Sequence, residues 1–173
     1  QFMWKLTILV LILIVAAIAL TYIKAPSNTS EPTPSAESTV QVPKVEIIAQ
    51  GLEVPWALAF LPDSNILVTE RSGRLRLIQN GKLLEKPVAT INVKQSGESG
   101  LHGIAIHPNF PQTPYVYLYY TYSASNNNSL NRVSRFVFDD QTLTGEKIIV
   151  DKIPGAIFHD GGRIKFGPDG SLY

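Results

Sequence analysis

Three stretches of this chain repeat one pattern, and that repeat limits the possible folds more than any other feature. Leu58-Ala59-Phe60-Leu61-Pro62-Asp63, Ile104-Ala105-Ile106-His107-Pro108-Asn109 and Ile164-Lys165-Phe166-Gly167-Pro168-Asp169 each read as a strand running into a Pro-Asp or Pro-Asn turn. Proline presets φ at such a turn, and the Asp or Asn side chain bonds to the backbone just beyond it. The first and third copies lead directly into a second apolar strand, Ile66-Leu67-Val68 and Leu172-Tyr173. The prolines stand at 62, 108 and 168, an uneven period of about fifty residues, the length of a four-stranded propeller blade.

The rest of the chain from residue 45 reads as further short strands. Apolar or alternating runs occupy 45–48, 57–60, 66–69, 75–79, 115–122, 133–138 and 147–150. Between them lie Pro62-Asp63-Ser64-Asn65, Arg71-Ser72-Gly73-Arg74, the polar stretch 123–131 and a turn over 139–145. Asn80-Gly81 is a hairpin signal, since both residues tolerate the positive φ of a type I′ turn. No window after the N-terminal segment has helical periodicity, so the domain is expected to be all-β. The expected architecture is a β-propeller of which two blades and the start of a third are present. A propeller closes with about four to eight blades, and the chain stops at Tyr173 inside a strand. It therefore reads as the N-terminal part of a longer protein.

The N-terminus is of a different kind. Residues 6–23 are aliphatic except for Thr7, Thr21 and Tyr22, and Lys5 and Lys24 flank them. A helix of that length spans roughly 27 Å, close to the hydrocarbon thickness of a bilayer. Segment 1–24 is expected to be a hydrophobic helix, either membrane anchor or signal segment; its length and the absence of a small-x-small cleavage site favour the anchor. Residues 25–44 are rich in Pro, Ser and Thr and read as a disordered linker. The domain at 45–173 is then exported, held in the periplasm or outside the cell. A net charge of +1 with scattered basic residues gives no footprint for nucleic acid. The absence of cysteine excludes disulfides, thiolate metal sites and a cysteine nucleophile.

Three histidines are candidates for chemistry. His107 occupies a repeat position filled elsewhere by Leu61 and Gly167, which marks it as structural. His102 follows the glycine-rich loop Ser96-Gly97-Glu98-Ser99-Gly100-Leu101, where glycines permit close backbone approach to a ligand. His159 stands in Phe158-His159-Asp160-Gly161-Gly162-Arg163, just before the third repeat strand. Loops that precede successive blades converge at one end of the central channel, so His159 and the Glu98 loop are expected to share one mouth. Histidine is the natural general base near neutral pH. Arg163 reads as a strand-start residue paired with a neighbouring carbonyl or carboxylate, and Tyr115, Tyr117, Tyr119 and Tyr122 as packing between blades.

Gly51-Leu52-Glu53-Val54-Pro55-Trp56-Ala57-Leu58-Ala59-Phe60-Leu61-Pro62-Asp63, continuing into Val68-Thr69-Glu70-Arg71-Ser72-Gly73-Arg74-Leu75, resembles the opening blade of the soluble glucose/sorbosone dehydrogenase family. The run Gly97-Glu98-Ser99-Gly100-Leu101-His102-Gly103, continuing to Phe110, resembles that family's second signature, and His159-Asp160-Gly161-Gly162-Arg163-Ile164 its third. The resemblance implies a six-bladed propeller that uses pyrroloquinoline quinone (PQQ) to oxidise the anomeric hydroxyl of aldose sugars to a lactone and passes electrons to a further acceptor. It makes His159 the catalytic base that also faces the cofactor, and Glu98 a quinone contact, although Glu98 sets a second anionic group beside an anionic cofactor. It also implies Ca²⁺, with its ligands and the basic residues for the PQQ carboxylates in later blades, so no metal ligand is expected in this chain. Phe158 stands where glucose-oxidising members can have a carboxylate, and His102 where an aliphatic residue is usual. The alternative function is a non-catalytic extracellular propeller that binds protein or glycan.

Overall fold

Strands covered on both faces should be apolar throughout rather than alternating, and the two innermost of the first sheet are close to that. The computed structural model describes residues 44–173; the expected hydrophobic helix at 1–24 and the linker up to residue 43 lie outside the described residues. Strand β1 (Pro55–Phe60) pairs antiparallel with β2 (Ile66–Glu70), and β2 with β3 (Arg74–Gln79). Leu67, Leu75 and Leu77 are fully buried. The fourth position is divided between β4 (Lys82–Leu83) and β5 (Ala89–Thr90), which both pair with β3. Residues 85–87 bulge out between them, while the Leu84 and Val88 amides keep the ladder by donating to the Leu77 and Leu75 carbonyls. The turn at Asn80-Gly81 forms as expected, with φ of +50° and +72°.

The second sheet is a four-stranded meander of β6 (Leu101–Ile106), β7 (Tyr115–Ser123), β8 (Ser129–Asp139) and β9 (Thr142–Pro154). Its last three strands are longer than the polar composition of their ends suggests. Pairing of Tyr122 with Leu130 and of Ser123 with Ser129 shrinks the expected loop 123–131 to a short 3₁₀ turn at Ser125–Asn127 and its flanks. The turn expected over 139–145 likewise tightens, because Asp140 takes φ +52° and Thr142 already pairs with Asp139. A third hairpin begins at the C-terminus, where Lys165 and Tyr173 exchange amide–carbonyl bonds of 2.9 Å in both directions.

The repeat seen in sequence is a repeat of hydrogen bonds. In the first copy the Leu61 amide donates to Asn65 O (2.8 Å), the Ser64 amide to Leu61 O (3.0 Å) and the Asn65 amide to Asp63 Oδ1 (3.1 Å). In the third, the Gly167 amide donates to Ser171 O (2.9 Å), the Gly170 amide to Gly167 O (3.1 Å) and the Ser171 amide to Asp169 Oδ1 (3.1 Å). The second copy has a longer loop: the His107 amide donates to Tyr115 O (3.0 Å), and His107 Nδ1 accepts the Asn109 amide in place of an Asp side chain.

The sheets meet in one core that joins Leu67, Leu75 and Leu77 to Leu101, Val116, Leu118 and Phe136. Full burial of each such leucine contributes roughly 1.5–3 kcal/mol. One expectation for the strands fails. Residues 45–48 form no strand, and Val45 and Ile47 are exposed: no neighbouring strand among the described residues offers their backbone a ladder. Burial of the first repeat strand is also incomplete, since Leu58 and Phe60 are more than half exposed. They line an open apolar groove of about 970 Å³ with Ile48, Trp56 and Ile164.

Candidate functional site

The loop that leads into β6 and the loop that follows β9 dock on each other. The Glu98 amide donates to Ile157 O (2.9 Å), and Glu98 Oε2 accepts the His159 amide (3.0 Å). Glu98 and His159, 61 residues apart, are thus in direct contact. Close approach depends on Gly97, at φ +59°, where a Cβ would stand 2.3 Å from Ile157 O. Arg71 holds the far side of this loop by donating to the Gly97 carbonyl.

His159 itself adopts φ +63°, a left-handed conformation that a residue with a Cβ occupies only when its surroundings impose it. Those surroundings centre on the next residue. Asp160 is buried, and its Oδ1 accepts the Ala156 amide (2.7 Å) and the Asn131 side-chain amide (3.3 Å), while Oδ2 accepts the Ser99 hydroxyl (2.7 Å). Its carbonyl accepts the Tyr119 hydroxyl (2.7 Å). Burial works against ionisation, but the hydrogen bonds from Ala156, Ser99 and Asn131, with His102 nearby, outweigh it and hold the carboxyl below the usual range. Asn131 is aligned in turn by Thr121, whose hydroxyl donates to Asn131 Oδ1 (2.6 Å). Asp160 therefore turns the backbone so that the His159 side chain faces solvent, where it is exposed.

His102 lies in the wall beneath. It is 1% exposed and stacks on Trp56 with ring centroids 4.4 Å apart at 22°. Its Nε2 lies 2.9 Å from Glu98 O, and burial lowers the ring's pKa. The other residues singled out in the sequence divide. His107 packs edge-on against Tyr115 and Phe166, away from this contact. Arg163 is exposed along the apolar groove, and the pairing expected for it is not found among the described residues. Tyr117 packs against Phe166 of the third repeat as expected. Tyr119 does more than pack, through its bond to Asp160. Tyr119 and Asn131 carried no motif of their own; Ser99 and Asp160 lay inside two of the motif-bearing runs, but nothing in the sequence joined them to each other. Among the described residues no group of three or more His, Asp or Glu side chains is placed to hold a metal ion.

Comparison with known proteins identifies the class of molecule that carries this pair of loops. The chain belongs to the glucose/sorbosone dehydrogenase family, whose model matches residues 52–173. It is 46% identical to a Thermus thermophilus protein described as an oxidoreductase (glucose dehydrogenase), with a TM-score of 0.68 over 75% of this chain and 39% of that one. It is 32% identical to the PQQ-bound aldose sugar dehydrogenase of Streptomyces coelicolor, with a TM-score of 0.67 over 74% of this chain and 39% of that one. The aldose sugar dehydrogenase of Escherichia coli is 32% identical over 145 residues, 80% of this chain and 38% of that protein. The chain thus spans less than two fifths of the length of these relatives.

Proposed function

We propose that this chain carries the proton-accepting edge of a PQQ-dependent aldose dehydrogenase, with His159 as catalytic base and Glu98 as a cofactor contact. The observation that carries the reading is the contact between the Glu98 carboxylate and the His159 amide, which ties the backbone of a residue with an exposed imidazole to the Glu98 loop. Membership of the family and similarity to a PQQ-bound aldose sugar dehydrogenase support it.

The residues present fit the reacting edge of such a cofactor. The His159 ring is exposed and takes no hydrogen bond from the described residues, so its lone pair is available to a substrate hydroxyl. Left-handed backbone at His159 and the buried Asp160 anchor fix the direction from which it acts. PQQ, when bound, supplies a two-electron acceptor for the hydride that leaves the anomeric carbon. His159 takes the proton of the anomeric hydroxyl, so loss of one hydride and one proton leaves the lactone. Glu98 orients the His159 backbone and lines the approach to the ring. Cations for the PQQ carboxylates and the ligands for Ca²⁺ belong, on this reading, to further blades of a six-bladed propeller.

The same reading places an anchored, exported domain behind segment 1–24 and linker 25–44. Phe158, which is 58% exposed beside His159, offers an apolar ring where a carboxylate would accept sugar hydroxyls, so the preferred aldose is not one held through that position. The full-length protein loaded with PQQ and Ca²⁺ is expected to reduce an artificial dye when given aldoses, and His159→Ala to abolish this. An unchanged rate in His159→Ala would sink the assignment of the base. Absence of dye reduction with every sugar and alcohol would favour the non-catalytic binding module.

A further inference from the structure

His102 is a buried titratable side chain that the mechanism above does not use. Its Nε2 lies 2.9 Å from the Glu98 carbonyl oxygen. A carbonyl oxygen only accepts, so Nε2 carries a proton. Nδ1 is buried and has no partner among the described residues. The ring is packed closely in this orientation. It is stacked on Trp56 on one face and aligned with Tyr119 at 6.0 Å and 9°. A Cβ on Gly162 would stand 2.8 Å from His102 Cβ and 3.0 Å from Nδ1, so the loop after His159 presses on the ring itself.

Charged groups face the ring from three elements. Asp160 and Glu98 favour a cation and Arg71 opposes it, while burial outweighs them and favours the neutral form. A second proton would put an N–H into a site that offers it no acceptor, a cost of the kind buried polar groups avoid.

Glu98 is held at three points: its amide by Ile157, its carboxylate by the His159 amide, and its carbonyl by His102. We propose that His102, neutral with its proton on Nε2, is a positioning residue that fixes the Glu98 peptide and so the approach of Glu98 to His159. A second proton would leave the Nε2–H bond to Glu98 in place but add a buried Nδ1–H with no acceptor, and that strain on the packed ring makes the site acid-sensitive. This inference rests on the reading of Glu98 and His159 given above, but its geometry can be tested without turnover.

Long-range ¹H–¹⁵N spectra of the full-length protein, free of PQQ and sugar, should show His102 as the neutral Nε2–H tautomer at pH 7. The Nδ1–H tautomer, or a cation, overturns the proposal. Two variants extend the test. His102→Gln keeps a donor near the Nε2 position, and His102→Phe keeps the stacked ring without one. Amide exchange at His159 should quicken by about tenfold in His102→Phe, as expected for one lost hydrogen bond, and stay near wild type in His102→Gln. In the loaded enzyme, His102→Phe should lower kcat by a similar factor, whereas His102→Gln should keep kcat and lose the acid limb that His102 imposes on the pH profile. Wild-type exchange and an unchanged pH profile in both variants would refute the positioning role, whether or not any sugar is oxidised.

Discussion

Removing the carboxylate of Asp160 tests whether the His159 loop is held as described. Its carboxylate accepts three hydrogen bonds, at 2.7, 2.7 and 3.3 Å, from Ala156, Ser99 and Asn131. Two of these donors keep a second acceptor in an Asp160→Ala variant: the Ser99 hydroxyl reaches Ala156 O at 3.0 Å, and the Asn131 amide reaches Pro154 O at 3.4 Å. The Ala156 amide is the donor left without a partner. A hydrogen bond to a charged group contributes roughly 1.5–3 kcal/mol, and a buried donor left unmade costs about 1–3 kcal/mol. With Ser99 and Asn131 partly compensated, Asp160→Ala should cost about 3 kcal/mol, and Asp160→Asn, which keeps Oδ1 for Ala156, about 1 kcal/mol. Urea unfolding of the full-length protein measures both. The sign with pH also follows. The folded carboxyl is held below its unfolded value of about 3.9, so its contribution is complete above that pH and is lost as pH falls through the lower, folded value. Asp160→Asn should therefore flatten the acid limb of stability below about pH 4. A cost under about 0.5 kcal/mol for Asp160→Ala would refute the argument that this residue anchors the loop.

Three further outcomes are expected. Gly97→Ala should separate the two loops, because its Cβ would lie 2.3 Å from the Ile157 carbonyl at a φ of +59°; thermal unfolding should show a loss of about 2 kcal/mol, and wild-type stability would contradict the docking. Glu70 is fully buried, accepts the Glu53 amide at 2.6 Å and pairs with Arg74 and Arg76. Glu70→Gln turns an amide donor toward two guanidinium groups and should cost about 3 kcal/mol in denaturant unfolding, whereas a neutral effect would mean that the cluster holds nothing. Burial depresses the His102 pKa in the folded state, so the unfolded chain takes up the proton first. Stability is complete above about pH 6.5 and declines as pH falls from there to the folded value; His102→Phe should lack that decline in melts recorded between about pH 7 and 5.

The features legible in the sequence were those encoded by neighbouring residues. Pro-Asp turns announce themselves because proline and aspartate act within four residues of each other, and the structure reproduces their hydrogen bonds in the first and third copies. The Asn80-Gly81 hairpin is legible for the same reason. The meeting of Glu98 with His159 came from the logic of converging loops rather than from any local signal. What stayed hidden is long-range: Ser99 bonds Asp160 across 61 residues, Tyr119 across 41 and Asn131 across 29. A serine, a tyrosine and an asparagine are ordinary strand and loop residues until the fold aims them at one aspartate, two at its carboxylate and the tyrosine at its carbonyl. Residues 45–48 misled in the opposite way, since β-branched composition predicts a strand but a ladder needs a neighbour. The divided outer strand of the first sheet was invisible because two-residue strands leave no periodicity to read.

On the proposed function, His159 accepts the proton of a sugar hydroxyl beside a bound quinone. Single-turnover reduction of PQQ in the loaded full-length protein tests it most directly, with an aldose carrying hydrogen or deuterium at the anomeric carbon. A primary isotope effect is expected in the wild type, and in His159→Ala a reduction step slowed by about 10²–10⁴-fold with PQQ still bound. Reduction at the wild-type rate in His159→Ala would contradict it.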